Sequence, residues 1–531
     1  MGIVKSQPFK FPQQPHYLLL VVAALKAASL PKLGVSPFID YSHPEASFGS
    51  YEHTFLQLPE AEDEDGKTVT NAAELRFPID VQEHRRLLNT YGAIGRATTV
   101  VPILPPQPSA TNTSSDSCED MGEEYFVAKI SWPEERRKSE DGYIRAIRKT
   151  MKEHPKAKHY VKNIVKVKYS LTLKRDAEEL MFPRGWENFK ESGAPRIFRL
   201  LVLVCYEPLQ NVNSVEEFKK VFRDVVIAHH WVFTVAKILH RDLSATNLMV
   251  QRIGKEINGI LADFDLAVGE SKEAQDEEVE QLGGPDTDTT PPSQHPGLVA
   301  SMQVDTVKEK AHTDKKCQKM RFRTGTGPFM AIDVLARTPT PIHIYRYDLE
   351  SFFYVLVWFC AGFNPGKHTL SSIDDWRTPD FQNIAVNKRA FLTDIDTCNA
   401  ILAPTDSTYK PLIDLWISPL RTIFKDVEFN TVSISHKASS IADLRQKVEK
   451  GRAKLSQLTW KEKKTLLDNK KNIEELTTEE SRLKAQRDEL CTYEKFMSIL
   501  GGEPESTNGL PDDAEENIMD DDLDMLLKSC L

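Results

Sequence analysis

Two acids and one amide in the middle of the chain have the types and spacing needed for cation-assisted chemistry on a hydroxyl. The stretch Ile238-Leu239-His240-Arg241-Asp242-Leu243-Ser244-Ala245-Thr246-Asn247-Leu248-Met249-Val250 has an apolar lead-in, an Asp, an Asn five residues on, and then an apolar strand. Asp242 is the candidate catalytic base, able to accept or orient a hydroxyl proton. The Asn247 carbonyl must then face the same cleft to hold Mg²⁺. A positioned base contributes roughly 10²–10⁴-fold to a rate. Downstream, Gly259-Ile260-Leu261-Ala262-Asp263-Phe264-Asp265-Leu266-Ala267 reads as a buried strand ending in an acid, which makes Asp263 the second candidate Mg²⁺ ligand. The chemistry these three would serve is phosphoryl transfer.

Several elements must bring them together. Phe126-Val127-Ala128-Lys129-Ile130 reads as a strand that presents Lys129. Glu140, in Arg137-Lys138-Ser139-Glu140, opens a predicted helix over 140–152 and is the first choice of ion-pair partner for Lys129, ahead of Glu134 and Glu135. Gly92-Ala93-Ile94-Gly95-Arg96-Ala97-Thr98-Thr99-Val100 is a glycine-containing hairpin with one well-placed glycine, Gly95, and Ala97 where a phosphate loop usually has a second. Glycines there let the backbone approach phosphate oxygens closely. Further on come Gly325-Thr326-Gly327-Pro328-Phe329-Met330-Ala331-Ile332-Asp333 and then Tyr347-Asp348-Leu349-Glu350-Ser351, which begins a strongly apolar helix. Asp348 is expected to be a buried structural acid bracing the loop around Asp242.

In that order these segments resemble the fungal-type protein kinase family. The resemblance rests on ILHRDLSATNLMV, GILADFDLAV, FRTGTGPFMAIDVL and IYRYDLESFFYVLVWF, with RIFRLLVLVCYEPLQNV ahead of a helix over 214–237, and it spans about 85–430. It implies an α+β, two-lobed protein-kinase-like fold with a small β-rich N-lobe (about 85–207) and a helical C-lobe (about 208–430). It also implies ATP and Mg²⁺ as cofactors and a protein hydroxyl as acceptor. Lys129 would pair with the α/β-phosphates, Gly95 would lie over them, and the adenine hinge would fall near Val204-Cys205-Tyr206-Glu207. Three positions depart from the broad kinase pattern: Ser244 stands where serine/threonine kinases carry a lysine, Asp265 replaces the Gly of DFG, and Ile332-Asp333 replaces Pro-Glu. Serine/threonine against tyrosine specificity therefore stays open. Two alternatives are a pseudokinase scaffold and a small-molecule phosphotransferase, the latter lacking a segment like 325–333.

The rest of the chain has other textures. It has 531 residues and a formal charge of −10, but residues 501–531 hold ten acids and one base, so the body is near neutral. Nothing in that balance calls for a nucleic-acid partner. Seven scattered cysteines without a CxxC pair fit neither a zinc site nor a disulfide framework, and point to an intracellular setting, cytoplasmic or nuclear. Residues 1–84 form an N-terminal extension with an acidic turn at Glu60–Asp65. Within it, the apolar run 18–25 is too short to span a bilayer, which takes about 20 apolar residues, and is expected to pack on the main domain. Met1-Gly2-Ile3-Val4-Lys5-Ser6 fits the loose myristoylation pattern at Gly2. Residues 270–320 read as an acidic, Pro-containing insertion in the activation segment. Heptad-like spacing from Ile441 to Met497 predicts a long-helix or coiled-coil segment over 437–499, open to self-association or a partner helix, with a stutter at the eleven-residue step Leu455–Leu466; the alternative is a helical pair folding back on the main domain. That segment carries 15 basic and 11 acidic residues, so the disordered acidic tail, 500–531, is expected to dock on it.

Overall fold

The computed structural model describes residues 37–46, 51–81, 98–106, 125–174, 196–270, 325–453 and 459–501, with isolated positions in 19–26, strand 88–89 and Ala177. β-Sheets make up its N-terminal part and helices its C-terminal part. The strands are β1 (Ile39–Asp40), β2 (Phe55–Gln57), β3 (Ala61–Glu62), β4 (Thr68–Val69), β5 (Arg76–Pro78), β6 (Leu88–Asn89), β7 (Thr99–Ile103), β8 (Phe126–Ser131), β9 (Val167–Leu173) and β10 (Phe198–Val204). They are followed by β11 (Glu207–Pro208), β12 (Ile238–Leu239), β13 (Leu248–Ile253), β14 (Glu256–Leu261) and β15 (Val268–Gly269). The main sheet has seven strands in the order β4-β3-β9-β10-β8-β7-β6. Its central strand β10, FRLLVLV, is buried along its whole length, as a strand between two neighbours that is apolar but for Arg199 should be. β8 lies antiparallel beside it, with Lys129 opposite Leu201.

Two strands of this sheet come from the segment read as an N-terminal extension. The β3–β4 hairpin joins the sheet where Glu62 of β3 meets Ser170 of β9. Leu19, Leu20 and Val22, in the apolar run expected to pack on the body, are exposed instead. No helix among the described residues is long and apolar enough to cross a membrane.

Helix α1 (Glu140–Glu153) starts where Ser139 accepts a hydrogen bond from the Gly142 N–H. Helix α2 (Val215–Ala236) starts in the same way at Ser214 and ends at Lys237, whose left-handed backbone turns the chain into β12. After α3 (Ile332–Ala336) comes α4 (Tyr345–Gly362), buried from Arg346 to Ala361, with charged residues in its first turns and an unbroken apolar run over 352–361. α5 (Phe381–Thr393) and α6 (Ile395–Leu402) pack beside it. Two apolar cores result. One joins the N-terminal sheets through Leu56, Phe77, Phe126 and Phe198; the other surrounds α2 and α4 with Phe222, Phe352 and Phe359. Tyr206 packs against both. β14 approaches α2 so closely that a Cβ at Gly259 would collide with the Val221 carbonyl.

The long helix expected over 437–499 is instead divided. α7 (Ser418–Arg452) ends, and α8 (Trp460–Leu490) begins at a capping box in which Thr459 and Glu462 satisfy each other's backbone N–H groups. The step read as a stutter spans this break. Gly451 faces Leu466, and Lys437 pairs with Glu479 at 2.6 Å, so the two helices run antiparallel and use the apolar seam on each other. α9 (Tyr493–Leu500) then docks on α2: Tyr493 stacks on His230, and the Arg223 Nε donates to the Leu500 carbonyl at 2.7 Å. The myristoylation pattern at Gly2, the insertion 271–320 and the tail from 502 lie outside the described residues.

Candidate active site

β8 turns the Lys129 side chain into the space between its own sheet and the first turn of α1. Lys129 Nζ lies 2.7 Å from Glu140 Oε2 and 2.5 Å from Asp263 Oδ1. Glu134 and Glu135, the other candidate partners, lie before the helix begins. Burial would lower the pKa of the Lys129 ammonium, but Asp263, Glu140 and Asp265 outweigh it and hold it above the usual lysine range. Burial acts the other way on Glu140. It raises that carboxyl more than Lys129 lowers it, because one ammonium is shared among several acids.

The loop carrying Asp242 is tied to the end of β14. The Asn247 side-chain amide donates to the Asp242 carbonyl at 2.7 Å, and the Ala262 N–H donates to the Asn247 carbonyl at 3.0 Å. The Asn247 Oδ1 accepts a long hydrogen bond from the Thr246 hydroxyl at 3.4 Å and keeps a second lone pair. Asp242 itself is buried, and its Oδ1 accepts a hydrogen bond from the Thr326 hydroxyl at 2.8 Å. Burial lowers the His240 pKa to about 4, so the ring is neutral near pH 7. Its Nε2–H donates to the Ala262 carbonyl at 3.0 Å, which leaves Nδ1 to accept from the Asp242 N–H at 3.4 Å. Phe264, fully buried, packs its ring 4.8 Å from that of His240.

Beneath the loop, Asp348 of α4 accepts four hydrogen bonds. They come from the His240 N–H (2.9 Å), the Arg241 N–H (3.1 Å), His229 Nε2 (2.9 Å) and His343 Nε2 (2.8 Å). Burial alone would raise this carboxyl, but His343 and His229 prevail and hold it well below the usual carboxylate range. Arg241 (φ +68°) and Asp263 (φ +65°) both have left-handed backbones, a conformation that costs a non-glycine residue about 1–2 kcal/mol. The Asp348 contact compensates Arg241, and the Lys129 pair compensates Asp263.

Thr326 depends on its neighbour. Gly325 has φ +122°, and a Cβ there would meet the Arg241 carbonyl oxygen at 2.9 Å. Gly325→Ala is therefore expected to push Thr326 off Asp242 and to cost about 1–3 kcal/mol. A melting temperature equal to that of the wild type would refute this. The segment is also held from below, where buried Lys388 donates to the Met330 carbonyl at 2.6 Å and sits over the Tyr354 ring.

Lys129, Glu140 and Asp263 are thus in direct contact, and Asp242 and Asn247 are joined through the loop backbone. Cys205 and Tyr206 lie at the end of β10, between the two cores. The Cys205 N–H is used on the Tyr125 carbonyl at 2.8 Å, so an adenine edge would have to meet other backbone groups of that segment. Gly95 lies outside the described residues. Thr326, His229, His343 and Lys388 were not singled out by sequence reasoning. His229 stands next to His230 in α2, Lys388 next to Arg389 in α5, and His343 ahead of α4, so residue type alone does not mark them. As a donor set, an amide oxygen and a carboxylate suit a hard cation such as Mg²⁺.

An Asp-bearing loop stitched to an acid-tipped strand, facing a strand lysine paired with a helix glutamate, defines a kinase-like protein. The family model described as fungal protein kinase matches residues 1–360, about two-thirds of the chain, and the chain belongs to that family. The match takes in the N-terminal extension with its β3–β4 hairpin. No curated protein matches the chain.

Proposed function

We propose that the chain is an active, two-lobed protein kinase that transfers the γ-phosphate of ATP to a hydroxyl of an intracellular protein. ATP would lie between the sheet and the helical part, with the segment around Cys205 and Tyr206 at its adenine, and Gly95 and Lys129 at its phosphates. Asn247 and Asp263 would hold Mg²⁺, which when bound neutralises phosphate charge. Asp242 orients the acceptor hydroxyl and takes its proton while the new O–P bond forms and the bond to the ADP oxygen breaks. Glu140 keeps Lys129 in place. The observation that carries the reading is Lys129 held at once by Glu140 and Asp263, 2.7 and 2.5 Å away, since it gathers charged groups from a strand, a helix start and a strand end 134 residues further on, and serves no apolar packing.

Incubating the full chain with labelled ATP and Mg²⁺ should label an acceptor peptide mixture of serine, threonine and tyrosine sequences. Asp263→Ala and Lys129→Ala should fall to background. Equal labelling by all three proteins would sink the proposal.

A second reading, the pseudokinase scaffold, draws on Ser244. The loop 242–247 has no lysine, and the buried Ser244 hydroxyl is turned onto the Thr246 hydroxyl at 2.8 Å. That reading expects nucleotide to bind without phosphate transfer in the same assay. The small-molecule phosphotransferase reading is the weakest, because the ordered segment 325–336 lies against Asp242.

A further inference from the structure

The acidic stretch Glu60–Asp65 runs through β3 into the turn of the β3–β4 hairpin, and that turn rests against helix α1. Asp63 shapes the turn: its carboxylate accepts from the Asp65 N–H at 2.9 Å and the Lys67 N–H at 2.8 Å, and Gly66 takes the left-handed conformation (φ +78°). The turn presents the Asp63 carbonyl to Arg145 of α1, whose Nε and one terminal nitrogen donate to it at 3.1 and 2.7 Å. The same guanidinium reaches the Glu62 carboxylate at 3.2 Å, the Ser170 hydroxyl at 3.0 Å and the Asp141 carboxylate. The Ser170 hydroxyl in turn donates to Asp141 at 2.9 Å. Lys166 and Lys168 of the sheet side hold Glu64 at 2.8 and 3.3 Å. One arginine thus bolts the first turn of α1 to the hairpin and to β9.

That turn needs an anchor. The apolar residues of α1 (Tyr143, Ile144, Ile147 and Met151) join the core around α2 and α4, which takes in Val167, Leu201 and Leu203 from one face of the sheet. The first turn of α1 adds polar contacts to the sheet, Glu140 on Lys129 and Asp141 on Ser170. The Lys129–Glu140 pair is buried, so desolvation cancels much of its attraction, and Lys129 has a second partner in Asp263. Left alone, the pair would hold Glu140 weakly.

We propose that the β3–β4 hairpin is a built-in clamp on α1, with Arg145 as the positioning residue that keeps Glu140 against Lys129. Anything that lifts the hairpin would lower turnover. The consequence for turnover rests on the kinase reading; the hold on α1 does not.

The test uses the full chain with Arg145→Gln, and with Asp63→Ala, which alters only an exposed turn and keeps the test open if the first variant fails to fold. Hydrogen exchange over 140–147 should rise about tenfold or more in both, without change in β10 or α2. The kcat for phosphate transfer should fall between about tenfold and a hundredfold, with the KM for acceptor peptide unmoved. Unchanged exchange over 140–147 would overturn the clamp, and raised exchange with a wild-type kcat would overturn its positioning role. If the wild type transfers no phosphate, the kinase reading fails, and the clamp is decided by exchange alone.

Discussion

Asp242→Asn is expected to lower phosphate transfer by roughly 10²–10⁴-fold, the contribution of a positioned base, with almost no change in stability. The substitution separates chemistry from architecture because of how the loop is held. Asn247 and His240 grip the backbone of residue 242, through its carbonyl and its N–H, and neither touches the carboxylate. The Thr326 hydroxyl needs only an acceptor, and an asparagine Oδ1 provides one. What disappears is the ability to take a proton from the acceptor hydroxyl. Nucleotide affinity should stay near the wild-type value, since the Lys129–Glu140–Asp263 cluster makes no use of the Asp242 side chain. Rapid-quench measurement of a single turnover, set beside a thermal melt, checks both halves. A wild-type rate would remove Asp242 from the chemistry and favour the scaffold reading.

Residue types and spacing singled out Lys129, Glu140, Asp242, Asn247 and Asp263, and the structure puts Lys129 against Glu140 and Asp263 and ties Asn247 to the Asp242 carbonyl. Ranking Glu140 above Glu134 and Glu135 rests on its place at the opening of the predicted helix 140–152, which in the structure is capped by Ser139. Long-range contacts left no comparable trace. Thr326 meets Asp242 across 84 residues of sequence, and His229 reaches Asp348 across 119. The β3–β4 hairpin was missed for a different reason, since strands of two residues have no period to detect. The pattern over 437–499 leaves one long helix and a folded-back helical pair both open, because a heptad repeat is the same in either. Gly451, which allows the close approach of Leu466, and the Thr459–Glu462 capping box were the local signs of a break.

Asp348→Ala should be the most destabilising single change in the site, by roughly 3–5 kcal/mol, the usual cost of breaking a buried charged contact from one side. Four donors converge on this carboxylate, two of them backbone N–H groups of the loop that carries Asp242. Removing it leaves those groups, with His229 and His343, facing a cavity, and an unmet buried donor costs about 1–3 kcal/mol. Part of the loss is also conformational. Arg241 keeps its left-handed backbone because Asp348 holds its N–H, so the loop should relax and carry Asp242 away from Thr326. The pH dependence has a definite sign. The Asp348 pKa is lowered in the folded chain, so its contribution is present above the unfolded carboxyl value of about 3.9 and fades as pH falls through the folded value. Denaturant melts of wild type and variant should therefore differ most near neutral pH and converge in acid. A gap that stayed constant down to pH 3 would mean that Asp348 acts by packing alone, and that its four hydrogen bonds do not depend on its charge.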